Sequence, residues 1–548
     1  MALRTPMRKS CIRFLLLLAP VVLLAQERVD LSVVNRIKQE AFQNSKVMEN
    51  AFYLTDVYGS RIAGSPQYRD AAQWVVKKLK EYGIEDARME KWGTFGRSWS
   101  YSHVAVNMLE PVKTSMIAVP LAWSSSTNGP VAGEVVMIKA ETPEDVAKFK
   151  GQVKGKWIIA QAPRDLALPL EAYAKRYTDA ELAEMAQAPD PGALAFGRGP
   201  RMGDMYRQYR VRRQIQQKIG ELAKEEGALG VLSEGPRGDG GTVFHGSAGS
   251  RTDKDYPPVS VVLGSEDYNR VARLVEAKIP VKLEVDVKAD FYENQDGYNV
   301  VGNLYGTRKQ DELVIIGGHL DSWHAGTGAT DNAIGCAVMM EVMRILKTLN
   351  LKMDRTVRIG LWDAEEEGLI GSREYVKAHF ADRATMKPTK EYAKVSGYFN
   401  IDNGGGKIRG VYLQGNDMMR PVFEAWLAPF KDLGAGTITI RNTSGTDHLS
   451  FDAVGIPAFQ FIQDPMDYFA RTHHTNMDVY DRLQKGDAMQ MSAIVASIVY
   501  NAATRPELLP RKPMPEPRPE RDEHETPAAK PAAGAKDAPA AKPAAPAK

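Results

Sequence analysis

Four stretches of the chain, ELVIIGGH, TVRIGLW, VSGYFNI and IPAFQFI, are short apolar runs followed closely by polar or charged residues. Runs of this length predict strands buried on both faces. Among them, apolar positions recur at helical spacing over 333–349, and strand alternates with helix from 290 to about 504. That alternation predicts an α/β domain with a mostly parallel mixed sheet flanked by helices. Upstream, AAQWVVKKLKEYG has helical apolar spacing that ends at Gly83, the expected opening helix of the same domain's first part, residues 26–110.

Between 111 and 289 the pattern changes. GEVVMIKA, GKWIIAQAP, GALGVLSEG, PPVSVVLG and VKLEVDVKAD alternate with turn residues and predict an inserted β-rich domain. Inside it, 165–224 is rich in Arg, Lys, Glu and Met at helical spacing, which predicts a solvated helical pair, with an active-site lid as the other reading. From 505 to 548 the chain carries 11 of its 32 prolines with few apolar anchors, the composition of a flexible tail. At the other end, Arg4, Arg8, Lys9 and Arg13 precede an apolar run over 14–25 that is short for a bilayer. Residues 1–25 therefore read as a signal peptide, and the mature protein as secreted or periplasmic. Cys11 would leave with it. Cys336 would remain alone, so no internal disulfide is expected.

Composition narrows the function. With 548 residues, 43% of them hydrophobic, the chain can bury a large core in more than one domain. Lys plus Arg number 71 and Asp plus Glu 68, a net of +3 that gives no global field for nucleic acid or an acidic membrane.

The chemistry gathers where strands end: His319 and Asp321, Glu365 and Glu366, Asp402, and Asp464 shortly before His473 and His474. The carboxyl ends of strands in an open α/β sheet face one crevice. In GGHLDSWHAGTGATDNAIG, His319 and Asp331 suit one metal cluster, since a carboxylate can bridge two ions about 3.5–4 Å apart. An N-cap is the bland alternative for Asp331. Asp321, two residues past His319, is placed to accept the other imidazole N–H. His324 reads as a surface loop residue. In WDAEEEGLIGS, adjacent glutamates on extended chain point opposite ways, so one can bind metal while its neighbour acts as base; three glutamates leave the register open. One histidine of the pair 473 and 474 completes five donors. A closed structural zinc site would prefer cysteines, so catalysis is expected.

HLDSW with ATDNAIG, then AEEEGLIGS, then HHTNMD resemble, in that order, the co-catalytic di-zinc peptidases of the leucyl aminopeptidase and carboxypeptidase Q-like family, over roughly 29–504. The resemblance implies Glu365 as base and Glu366 as ligand, Glu367 as bystander, and His319, Asp331, Asp402 and His474 as the other ligands. It implies two Zn2+ per chain, although such donors also accept cobalt or manganese. It further implies a protease-associated domain in the insertion and a short peptide substrate, and admits a homodimer; the charge balance gives no nucleic-acid partner, and no other stretch predicts a membrane span after signal removal. The expected activity is a metallo-exopeptidase acting on dipeptides or short peptides. Single-residue aminopeptidase, single-zinc glutaminyl cyclase and noncatalytic receptor or chaperone are the alternatives. His448 in GTDHLSF and His324 depart from the family's pattern.

Overall fold

A computed structural model describes residues 27–187 and 200–518, with side chains left out over 200–209. The expected signal peptide and the tail beyond 518 lie outside the described residues.

In chain order the first part supplies α1 (Pro66–Glu81) and the long strand β1 (Arg88–Glu110). The insertion supplies β2 (Val131–Met137), β3 (Trp157–Ile159), β4 (Gly230–Glu234) and β5 (Ser260–Leu263). The chain returns through β6 (Lys282–Leu304) to β7 (Lys309–His319), α2 (Ile334–Thr348), β8 (Arg355–Trp362), β9 (Val395–Asn400), β10 (Ile408–Tyr412), β11 (Thr437–Thr439), β12 (Ala458–Gln463) and α3 (Lys485–Thr504).

These strands form one sheet in the order β11-β10-β12-β9-β7-β8-β6-β2-β3-β4-β5, closed at the far edge by Ala118–Pro120. Its centre is four parallel strands, β12-β9-β7-β8. Such strands need cover on both faces. α2 covers one face, every residue from Ile334 to Leu346 being buried, polar Glu341 included, while Tyr375, Val376, Phe380 and Phe451 pack on Ile315 and Tyr398 of the other. Glu341 is tolerated because Arg344 meets it at 2.8 Å and Glu40 at 2.6 Å, giving a buried, paired triad. α3 is buried along most of its length and packs against α2.

The insertion is α/β in build. β2, β3, β4 and β5 run parallel, and helices Pro200–Glu226 and Ser265–Glu276 pack on them through Ile219, Leu222 and Ala223 on one side and Tyr268, Val271 and Ala272 on the other. Its strand runs are short and apolar without alternation, the pattern of parallel strands covered on both faces. β6 runs unbroken through position 290, so the expected boundary at 289/290 falls inside a strand that both parts share. β1 pairs with β6 along its whole length, with five register irregularities. Residues 505–512, read from composition as the start of the tail, lie on the domain: Leu509 is buried and Lys512 pairs with Asp452 at 2.6 Å.

Candidate metal centre

His319 is the last residue of β7, and its ring is fully buried. Its Nδ1 lies 3.1 Å from the Asp321 carbonyl, which can only accept, so Nδ1 carries a proton. In the neutral ring the Nε2 lone pair then faces Asp331 Oδ1 at 3.2 Å and Asp402 Oδ1 at 3.4 Å. The second oxygen of Asp331 is 3.3 Å from His474 Nε2, whose ring also meets Glu366 Oε2 at 3.0 Å. Three overlapping donor sets result among the described residues: His319, Glu365 and Asp402; His319, Asp331 and Glu366; and Asp331, His473 and His474, each with ligand atoms within 4.8 Å of one another. Asp331 does not cap α2, whose N-cap position is Ala333.

Acceptor atoms are packed against acceptor atoms here, and the ionisation of the groups shows the strain. Burial disfavours a charged His319, yet Asp402, Glu365, Asp321 and Asp331 outweigh it and hold the ring well above its usual pKa. His474 is pushed up to about 11, burial opposing and Glu366 and Asp331 prevailing. Burial drives the Glu365 carboxyl well above the ordinary range, helped by Asp402, Asp447 and Glu366. Glu366 rises to about 7 through burial and the Asp331 charge. Such a cluster takes up protons when it holds nothing else, and a divalent cation replaces them at lower cost. The residues present therefore fit a metal.

Asp321 differs in part from its expected place. Its carboxylate stands 3.5 Å from His319 Nδ1, while its two oxygens accept from the backbone N–H groups of Glu365 and Glu366, each at 3.2 Å. It orients the two glutamates as much as the imidazole. His473 stacks on His474 with ring centres 3.8 Å apart, and its Nε2 is farther from Asp331, at 3.9 Å. Asp464, grouped with the strand-end chemistry from the sequence, lies elsewhere: it binds Arg176 at 2.8 Å and Arg409 at 2.9 Å, tying the insertion's segment before Tyr177 to β12. His448 is buried at the start of the short helix His448–Asp452, its pKa lowered to about 4 chiefly by desolvation. His324 is buried too, with Nε2 donating to the Pro120 carbonyl at 2.7 Å.

Three further contributors surround these residues. Arg61 is completely buried and donates to the carbonyls of Leu320, Leu54, Thr327 and Gly328, spanning the loop that joins His319 to Asp331. Asp478 accepts from Thr330 N at 2.6 Å and Asp331 N at 3.1 Å, fixing the same loop from the far side. Gly326 must be small there, because a Cβ would stand 2.6 Å from the Asp478 carbonyl. Thirdly, the insertion reaches the site: His245 N donates to the His474 carbonyl at 3.2 Å, and Asn476 Oδ1 accepts from Val243 N at 2.8 Å. The spacing of Asp478 after His474 was a signal; Arg61 and His245 carry none in the sequence.

Histidines and carboxylates at and beyond the ends of the parallel strands, with ligand atoms within 4.8 Å of one another, define a metallohydrolase-type site on an α/β fold. Comparison with known proteins gives the particular class. Residues 299–499 match the family model described as Peptidase family M28. Carboxypeptidase Q of Mus musculus is 25% identical over 489 residues, covering 88% of this chain and 91% of its own. A Peptidase M28 precursor structure from Shewanella amazonensis SB2B superposes with a TM-score of 0.62 at 24% identity, covering 88% of this chain and 98% of its own. A zinc aminopeptidase structure from Bacillus subtilis gives 0.50 at 18% identity, with 84% and 94% covered. Over 299–499 the chain is similar to the M28 peptidases, and it is a metallo-exopeptidase, a hydrolase.

Proposed function

We propose that this protein is a two-zinc exopeptidase that hydrolyses free dipeptides and short peptides. The observation that carries it is the double reach of Asp331, one oxygen toward His319 and the other toward His474. His319 and Asp402 would hold one zinc, Glu366 and His474 the other, with Asp331 shared. When bound, the pair supplies Lewis-acid polarisation of the scissile carbonyl and lowers the pKa of the attacking water.

The chain's own groups supply the rest. Glu365 sits among His319 and Asp402 with its carboxyl raised by burial, so it takes the proton of the attacking water and hands it to the leaving nitrogen. Asp321 keeps Glu365 and Glu366 pointed apart by fixing both backbone N–H groups. Arg61 and Asp478 hold the His319–Asp331 loop, so the shared carboxylate keeps its aim.

The dipeptidase form of the reading rests on the length of the likeness to carboxypeptidase Q. Removal of single N-terminal residues is the second reading, supported by the aminopeptidase neighbours. All five proposed donors, His319, Asp331, Glu366, Asp402 and His474, come together around Asp331 and His319, which favours two metals over the single zinc of a cyclase and an active enzyme over a noncatalytic relative. The basic residues ahead of the apolar run at 14–25 support export, and among the described residues no helix is long and apolar enough to cross a membrane.

The test is hydrolysis of free dipeptides, N-blocked dipeptides and aminoacyl anilides by purified protein, with metal content measured in parallel. Dipeptide cleavage with about two metals bound supports the proposal. Anilide cleavage alone moves it to aminopeptidase, and no cleavage at full metal loading refutes the substrate assignment.

A further inference from the structure

The insertion brings more than backbone contacts to the metal centre. The ring of His245 lies 4.8 Å from Trp323, 4.9 Å from His324 and 5.5 Å from His474, centre to centre. Trp323 and His324 come from the loop directly after His319, so the cluster joins the insertion to the catalytic loop beside a candidate ligand. Four of its side-chain nitrogens are buried without a partner in good hydrogen-bond geometry: Nδ1 and Nε2 of His245, Nδ1 of His324 and Nε1 of Trp323. Buried polar atoms are almost always paired, so four on three touching side chains point to a polar ligand.

Their hydrogen-bond character can be assigned. Trp323 Nε1 only donates. His324 Nε2 donates to the Pro120 carbonyl at 2.7 Å, which makes Nδ1 of the neutral ring an acceptor. Burial keeps that ring neutral. A neutral His245 turns its N–H toward the Gly246 carbonyl and offers its other nitrogen as an acceptor. A carboxylate would face the lone pair of His324, and an ammonium would leave the Trp323 N–H unmet. A neutral amide, with its own N–H and C=O, satisfies both kinds.

We propose that His245, Trp323 and His324 form a subsite for a neutral amide of the substrate other than the one being cut. Peptides with a second amide, in a longer backbone or in an Asn or Gln side chain, are then preferred to plain dipeptides. This rests on the peptidase reading and deepens it. It makes the insertion part of the substrate pocket.

The test is calorimetric binding of Ala-Ala, Ala-Ala-Ala, Ala-Gln and Gln-Ala to metal-loaded Glu365→Gln protein, alone and combined with His245→Phe or Trp323→Phe. At least one of the last three peptides should bind about tenfold tighter than Ala-Ala, the worth of a neutral hydrogen-bonded pair. Which one gains separates backbone from side-chain amide. His245→Phe should erase the advantage. Trp323→Phe, which deletes a single N–H, should reduce it and guards against a misfolded His245 variant. Equal binding of all four peptides, or an advantage that survives both substitutions in folded protein, overturns the subsite but leaves the peptidase reading standing. No binding of any peptide, with no turnover by the parent protein, overturns both.

Discussion

Glu365 and Glu366 are neighbours in the chain but face different partners: Glu366 meets His474 at 3.0 Å, while Glu365 lies with His319 and Asp402. Glu365→Gln is isosteric and removes only proton transfer. It should keep the metal content of the parent and lower kcat by about 10²–10⁴; metal analysis beside a dipeptide assay checks this, and near-parent turnover would refute the assignment of the base. Arg61 acts at one remove. Lysine at 61 retains a charge but not the fork that reaches four carbonyls, so Arg61→Lys should weaken metal affinity by about 10–100-fold. Competition with a chelator reads that directly, and unchanged affinity would confine Arg61 to general packing.

At the level of elements, the strands and helices that carry the site follow their apolar runs closely, because a continuous buried run with a polar stop has few other uses. β1 was invisible for the opposite reason. It is half exposed, interrupted by Gly93, Gly96 and three serines and broken by bulges, so neither alternation nor a solid apolar run marks it; pairing with β6 makes it a strand. The loop pairing between Val243–His245 and His474–Asn476 is equally unreadable, since it joins segments far apart in sequence. Asn476→Ala removes its Oδ1 contact to Val243 N and its Nδ2 contact to the Gly241 carbonyl. The expected cost is about 1–3 kcal/mol, seen as faster proteolysis of the 235–250 loop and weaker metal retention. Unaltered cleavage kinetics would show that the insertion holds the ligand loop by other contacts.

For the whole molecule, the sign of the pH dependence follows from the site. Without metal, Glu366, Asp447 and Asp478 are each raised to about 7, and burial is the leading cause in all three. A raised carboxyl stabilises the fold below its unfolded pKa near 4, and that contribution is lost as pH rises toward and through 7. Metal-depleted protein should therefore lose several degrees of Tm between pH 5.5 and 8, and reloading should restore most of it at pH 8, where the ligands are deprotonated. A separate acid limb belongs to His324 and His448, both lowered to about 4 mainly by burial. Their stabilisation is present above pH 6.5 and disappears as pH falls to 4, with or without metal. Thermal scans of both forms across this range check the two limbs, and a flat basic limb in metal-depleted protein would refute the first.

The sequence by itself determined the α/β class, the parallel core strands and the residue types at their ends, because burial and chain direction impose those patterns locally. It also left the glutamate register open to chemistry alone and grouped Asp464 with the site. Only the tertiary structure decided that Asp464 belongs to an arginine network, that Asp321 serves two glutamate backbones, that residues 505–512 pack on the domain, and that Arg61 and His245 stand beside the centre. Each of these depends on which surfaces meet across long loops. Such contacts arise from the packing of the whole sheet and leave no periodicity in the segments that make them.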